Sequence, residues 1–314
     1  MIVIILLTLL FATVFALTLV TYRRAIGQAR SRVATGGRIV RTSCGPIEYA
    51  EAGEGQPILL VHGAGGGYDQ GLDLGAPLAR SGFRIVAMSR FGYLRTPLPV
   101  DASAVAQADA HAALLDALKI ERAAIMGASA GGPSAIQFAL RHADRCSALV
   151  LLVPAAYVPR AGGAPSVRTP ARTTFLFGTA LKSDLLFWVA LRLLRSTAIR
   201  SILGTPPALV DRASADERAR VNEVLQHILP VSLRRLGLLN DAAVISSLRR
   251  YDLERIAVPT LAISVADDLY GTFDGARYTA EHVPRARFIG YPTGGHLCVG
   301  HQDDVASEIA AFLR

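Results

Sequence analysis

Four short apolar runs recur along the chain with helix-like stretches between them: "PILLVHG" (57–63), "FRIVAMSR" (83–90), "AAIMGAS" (123–129) and "SALVLLVP" (147–154). A strand without a polar face must be covered on both sides, as happens in a parallel sheet sandwiched by helices. The intervening segments can supply that cover. In "ASAVAQADAHAALLDALKI" (102–120), Val105, Ala108, Ala112, Leu115 and Leu118 recur on one face at helical spacing. The alternation predicts an α/β domain with a mostly parallel central sheet flanked by helices. A hairpin is expected ahead of it, from "RIVRTS" and "PIEYAEAG" on either side of Cys44-Gly45-Pro46. Later strands are read at 260–268 and 286–292, with a closing helix at 302–313.

Past Pro154 the alternation stops. Residues 157–240 read as a helical insertion: loops rich in Pro, Gly and Thr, then "LKSDLLFWVALRLLRSTAIRSIL", taken as one apolar helix carrying arginines. Two readings stay open for it. It caps the sheet's carboxyl edge, with Leu186, Phe187 and Trp188 as its core or a pocket roof, or its basic amphipathic helix lies on a membrane surface. The two are compatible.

The first residues add a different constraint. "IVIILLTLLFATVFALTLV" (2–20) has no charge and only three threonines as polar residues. As a helix it spans roughly 28 Å, close to the hydrocarbon thickness of a bilayer. No basic region precedes it and its apolar core is long, so an uncleaved anchor is expected in preference to a signal peptide. The expected organisation is a transmembrane anchor at 1–22, a basic stalk at 23–37, the α/β core at 38–156 and 241–314, and the cap at 157–240. Arginines follow the span, which puts the catalytic body on the cytoplasmic side.

The formal charge of +8 is concentrated in that stalk region. Arg23, Arg24, Arg30, Arg32, Arg38 and Arg41 all precede the first acidic residue, Glu48, and the rest of the chain holds 27 basic against 25 acidic residues. No basic stripe interleaved with aromatics remains, so no nucleic-acid partner is expected. Cys44, Cys146 and Cys298 lie far apart in no metal-ligand spacing; they read as reduced thiols, and neither metal nor cofactor is expected.

One turn carries chemistry. In "IMGASAGGPSAIQFAL" (125–140), Ser129 stands between an apolar strand and a helix, with Gly127 and Gly131 around it. A serine on so tight a turn is pushed into open space, and the following helix aims its first amides at a developing anion. Its hydroxyl needs a base, and His296 in "PTGGHLCVG" follows the last expected strand on a glycine-rich loop. His62 reads as structural, His111, His142, His282 and His301 as lying on or beside surface helices, and His227 in the insertion as a reserve base. A carboxylate must then orient the imidazole; "SVADDLY" offers Asp267 and Asp268.

With these residues the chain resembles the α/β-hydrolase superfamily over residues 38–314, in the Gly-x-Ser-x-Gly turn and in the order Ser, Asp, His. The resemblance implies an α/β-hydrolase fold with a cap. Its Gly-x-x-Asp register, met here as Val265-Ala266-Asp267-Asp268, selects Asp268 over Asp267. It also implies an oxyanion hole from the backbone amides of Ala130 and of Ala64 in "HGAGGGYDQG", with Gly65 as alternate. "MSRFGYLRTPLP" (88–99) departs from the superfamily's usual turn: Ser89 replaces its aspartate and Arg95-Thr96 its Gly-Ser. It reads as a turn packed beneath the site, with Arg90 and Arg95 as alternative anion contacts.

A Rossmann dinucleotide site is the main rival, because glycines follow the first parallel strand. Its Gly-x-Gly-x-x-Gly register fails, since Tyr68 stands where the last glycine belongs. The expected function is a cofactor-independent serine hydrolase acting on an ester, thioester or lactone of a hydrophobic small molecule. Alternatives on the same fold are a perhydrolase, a carbon–carbon bond hydrolase and a non-catalytic ligand-binding protein.

Overall fold

The computed structural model describes residues 1–159 and 182–314. The part of the expected Pro-, Gly- and Thr-rich loops at 160–181 lies outside the described residues.

Eight strands form one sheet in the order β1-β2-β4-β3-β5-β6-β7-β8. Strands β1 (Arg38–Thr42) and β2 (Gly45–Ala52) make the expected hairpin, and β2 runs antiparallel to β4 (Phe83–Met88). The remaining pairs are parallel: β3 (Gln56–Val61), β5 (Ala123–Ala128), β6 (Cys146–Leu152), β7 (Thr260–Val265) and β8 (Ala286–Tyr291). Side chains alternate between the two faces with the strand's period of two. In β3, Leu59 and Val61 join one core and Ile58 and Leu60 the other. The first core is closed by α3 (Ala104–Ala117), α4 (Gly132–Arg141) and α10 (Thr272–His282), the second by α2 (Tyr68–Arg80) and α11 (Gln302–Leu313). This is why the strands read as unbroken apolar runs.

Helix α3 buries Ala108, Ala112 and Leu115 of its expected face, and Leu118 packs against the same core, but the buried surface is wider than that face. Val105 is exposed, whereas Gln107, Ala110 and His111 are buried. His111 is therefore no surface histidine. Its ring reaches Met88 Sδ at 3.0 Å and Ser134 Oγ at 3.1 Å, because the small alanines around it let α3 pack closely on the sheet and α4.

The strand order places the site. β3 lies between β4 and β5, and the chain leaves β3 to one side for β4 and crosses to the other for β5. Such a reversal opens a crevice at the carboxyl edge. Val61 pairs with Gly127, so the loop after β3 and the turn after β5 emerge side by side. The next two strands deliver the ends of β7 and β8 to the same edge.

The described part of the insertion is helical as expected, with two differences. The stretch read as one helix is two, α5 (Asp184–Leu193) and α6 (Arg195–Ile202), broken at Leu194. The last helix of the series, α9 (Arg235–Ser246), runs through the expected boundary at residue 240; α7 (Pro207–Arg212) and α8 (Ala215–His227) precede it. The insertion has its own core of Phe187, Trp188, Leu191, Ile199, Val210, Val221 and Leu225, among others.

Helix α1 (Ile2–Thr35) is long and apolar enough to cross a membrane: its most apolar 18-residue window has mean hydropathy 2.9, and none of that window is buried. The hydroxyls of Thr8, Thr13 and Thr18 donate to carbonyls four residues back at 2.8–2.9 Å, so its few polar side chains are satisfied within the helix. The basic segment expected as a stalk continues this helix without a break, and Ile26 packs into the cap core.

Candidate active site

Ser129 follows β5 with φ +48°, in the left-handed region that costs an ordinary residue roughly 1–2 kcal/mol. Its O accepts from Ala155 N–H at 2.9 Å, and a short 3-10 turn, Ser129–Gly131, leads into α4. The flanking glycines answer to crowding here. A Cβ on Gly127 would stand 2.6 Å from the Ala135 methyl, and one on Gly131 would overlap the carbonyl oxygens of Val61 and His62. Gly63, across the crevice, would bring a Cβ to 3.1 Å from that of Ser129.

The expected partners converge on this serine. His296 Nε2 lies 2.9 Å from Ser129 Oγ, and His296 Nδ1 lies 2.8 Å from Asp268 Oδ2. The Asp268 side chain is fully buried and that of His296 is 10% exposed. Asp268 also accepts from Tyr270 N–H at 2.8 Å and from the Thr272 hydroxyl. Burial by itself raises the Asp268 carboxyl, but the adjacent His296 and these hydrogen bonds together hold it below the ordinary carboxylate range. An anionic carboxylate on Nδ1 selects the tautomer that leaves Nε2 free to accept a proton.

Asp267, the other carboxylate considered, points elsewhere. It accepts from Gly295 N–H at 2.7 Å and so ties down the loop that carries His296. That loop bends through Gly294 and Gly295, at φ +138° and +61°, where a side chain would be strained. The neighbouring aspartates thus divide the work: one holds the ring, the other its backbone. His227, the reserve base, hydrogen-bonds Asp73 at 2.7 Å and takes no part in the Ser129 cluster.

On the facing loop, Gly65 N–H donates to the Tyr93 hydroxyl at 3.3 Å, whereas Ala64 N–H and Ala130 N–H meet no acceptor among the described residues. His62 is structural: Nδ1 donates to Gly63 O at 2.7 Å and Nε2 accepts from Arg90 N–H at 3.0 Å. Burial, aided by the positive charge of Arg90, pushes its pKa well below the ordinary histidine value, so it stays neutral.

The arginines of the 88–99 turn are not anion contacts. Arg90 is locked in two bonds to Asp241 of α9 at 2.6 and 2.7 Å, with a third, at 3.3 Å, to Ala130 O. Arg95 pairs with buried Glu48 at 2.6 Å. The turn packs beneath the site, because its charges are neutralised by buried carboxylates.

Several contributors escape sequence reasoning. Tyr270 sets its ring edge-on to His296, centroids 4.8 Å apart, and donates to Ile202 O at 2.8 Å in the cap. Gly204 O accepts from His296 N–H at 3.3 Å and Leu269 N–H at 2.9 Å. Thr272 carries a readable signal, a hydroxyl at a helix start four residues past Asp268. Gly204 and Asp241 carry none, since their roles depend on where the cap folds back.

A family model for the alpha/beta hydrolase fold matches residues 56–299, most of the chain. The chain belongs to the alpha/beta hydrolase family. Among relatives of this alpha/beta hydrolase is the uncharacterized hydrolase YcgS of Bacillus subtilis (strain 168), 26% identical over 266 residues, or 81% of this chain and 89% of that one. It is also similar to the 2-hydroxy-6-oxo-6-phenylhexa-2,4-dienoate hydrolase of Comamonas testosteroni, 33% identical over 113 residues, which span 34% of this chain and 40% of that enzyme. An alpha/beta hydrolase fold protein from Nakamurella multipartita superposes with TM-score 0.70 at 27% identity, covering 88% of this chain and 99% of that one.

Proposed function

We propose that this alpha/beta hydrolase is a cofactor-independent serine hydrolase that cleaves an ester, thioester or lactone of a hydrophobic small molecule through an acyl-enzyme. The observation that carries the reading is the continuous relay Ser129 Oγ, His296 Nε2, His296 Nδ1, Asp268 Oδ2, with links of 2.9 and 2.8 Å. Ser129 Oγ attacks the carbonyl carbon while His296 Nε2 takes its proton, and Asp268 stabilises the imidazolium. The oxyanion is held by Ala64 N–H and Ala130 N–H, helped by the start of α4. The C–O bond of an ester or lactone, or the C–S bond of a thioester, then breaks as His296 protonates the leaving atom; water attacks the acyl-enzyme with His296 again as base, and the acid leaves as His296 returns the proton to Ser129 Oγ.

The same proposal makes α1 a single-pass anchor, with the arginines after its span holding the hydrolase domain on the cytoplasmic side. Full-length chain retained in membranes through a carbonate wash supports that; release into the supernatant refutes it.

The enzymatic test is labelling by a fluorophosphonate, read beside a series of nitrophenyl esters of graded chain length. Labelling and turnover are expected in the wild type and lost in Ser129→Ala. A folded wild type that takes no label overturns the reading in favour of a binding protein.

A second reading, a carbon–carbon bond hydrolase, is favoured by the similarity to the Comamonas testosteroni enzyme. A 2-hydroxy-6-oxodienoate has no ester, so its hydrolysis breaks the bond beside its ketone. Against it stands the pairing of Arg90 with Asp241, which removes that cation as a partner for the dienoate carboxylate. Faster decay of a dienoate chromophore than of every ester in the series would reverse the preference.

A further inference from the structure

Helix α1 does more than end at a membrane. Its Tyr22, Ala25, Ile26 and Ala29 lie against the cap core. Tyr22 meets Trp188 edge to face with centroids 5.6 Å apart, and Arg30 pairs with Asp184 at 3.3 Å. Arg32 bridges Asp69 and the carbonyls of His227 and Leu229, while the Tyr68 hydroxyl donates to Val33 O at 3.0 Å. Cap helix α5 is therefore fixed to α1 at Tyr22, two residues past the end of the apolar span at Val20, or roughly 3 Å of helical rise. Its depth relative to a bilayer is set by that contact.

Helix α5 is apolar on both sides. Phe187, Trp188 and Leu191 face the cap core. On the other side Leu186 and Leu193 stand two helical turns apart, and Leu185, Leu186, Leu193 and Leu194 are 37%, 51%, 75% and 56% exposed. Exposed Arg192, stacked over Trp188 at 4.5 Å, borders this stripe. Exposed Arg23 and Arg24 sit on α1 at the same level. Large aliphatic side chains rimmed by arginines, held where a span leaves the hydrocarbon, have the chemistry of a helix lying in the lipid interface.

We propose that the outer face of α5 is a second membrane contact: Leu185, Leu186, Leu193 and Leu194 enter the boundary between acyl chains and headgroups, and the arginines meet anionic headgroups. The proposal rests on the reading of α1 as a membrane span. Its consequence reaches the site, because α6 follows α5 directly and presents the Ile202 carbonyl to Tyr270, which packs on His296. The cap is thus held over Ser129 at the bilayer surface, where esters that partition into lipid are concentrated.

The test uses the full chain with Cys44→Ser, since Cys146 and Cys298 are buried, and a nitroxide on Leu186→Cys, Leu193→Cys or Glu121→Cys. Glu121 precedes β5, at the opposite edge of the sheet. Each variant is reconstituted into phosphatidylcholine–phosphatidylglycerol vesicles and floated, and its labels are probed with oxygen and a nickel chelate. The expected result is co-flotation, with an oxygen-to-nickel accessibility ratio severalfold higher at 186 and 193 than at 121. Co-flotation with equal ratios overturns the interfacial face and leaves the anchor standing; failure to float overturns both.

Discussion

Asp241→Asn removes one charge from a pair that joins the cap to the floor of the site. Asp241 and Arg90 are 4% and 5% exposed, and the Tyr93 hydroxyl donates to the same carboxylate at 2.6 Å. An asparagine in that place turns an amide N–H₂ toward one guanidinium N–H and leaves the Arg90 charge buried without a counter-ion. Breaking a buried pair in this way costs about 3–5 kcal/mol. At ~2–4 °C per kcal/mol for a domain approaching this size, the melting temperature should fall by about 6–20 °C. The assay is thermal unfolding of the detergent-solubilised full chain beside Arg90→Met/Asp241→Leu. The double variant replaces both charges by apolar groups, so it should regain most of the lost stability. Turnover should not recover with it, because Arg90 also donates to Ala130 O and Tyr93 accepts from Gly65 N–H, so the cluster positions both loops assigned to the oxyanion. A single variant that melts with the parent, or a double variant as unstable as the single, refutes the reasoning.

Other expectations concern the relay and the buried histidines. Asp268→Asn should lower turnover by a factor on the order of 10⁴, the scale set by losing the carboxylate that fixes the tautomer. Asp267→Asn should cost far less, since it loses only one bond to the His296 loop; equal losses in steady-state rates would reverse the assignment. His111 has its pKa pushed down to about 3, first by burial and then by the charges of Arg90 and His142. The unfolded chain therefore binds a proton that the folded chain refuses between about pH 6.5 and that value. This contribution is complete above about pH 6.5 and is lost as pH falls, with a slope of up to about 1.4 kcal/mol per pH unit. Urea titrations from pH 7 to 4 should show a shallower slope in His111→Gln; an unchanged slope refutes the assignment. His62 acts in the same direction and should leave a residual slope.

Local patterns carried most of the fold. Strands buried on both faces are apolar along most of their length, so β3 to β7 could be read directly, and the crowding around Ser129 is a backbone constraint that short-range sequence records in Gly127 and Gly131. The serine and the histidine were legible because each sits at a strand end whose place in the sheet follows from chain order, whereas residue types alone left two adjacent aspartates open and only the resemblance to the superfamily's register favoured Asp268. His111 was misread because helical periodicity reports where apolar residues fall, and a helix of alanines presents nearly the same surface all round. Only tertiary packing decided that Arg90 is neutralised by Asp241, that Asp267 holds the loop while Asp268 holds the ring, and that the arginine half of α1 docks on the cap. These depend on partners between 28 and about 200 residues away in the chain, and the pairing of one charge with another across such a distance leaves no periodic trace in the residues themselves.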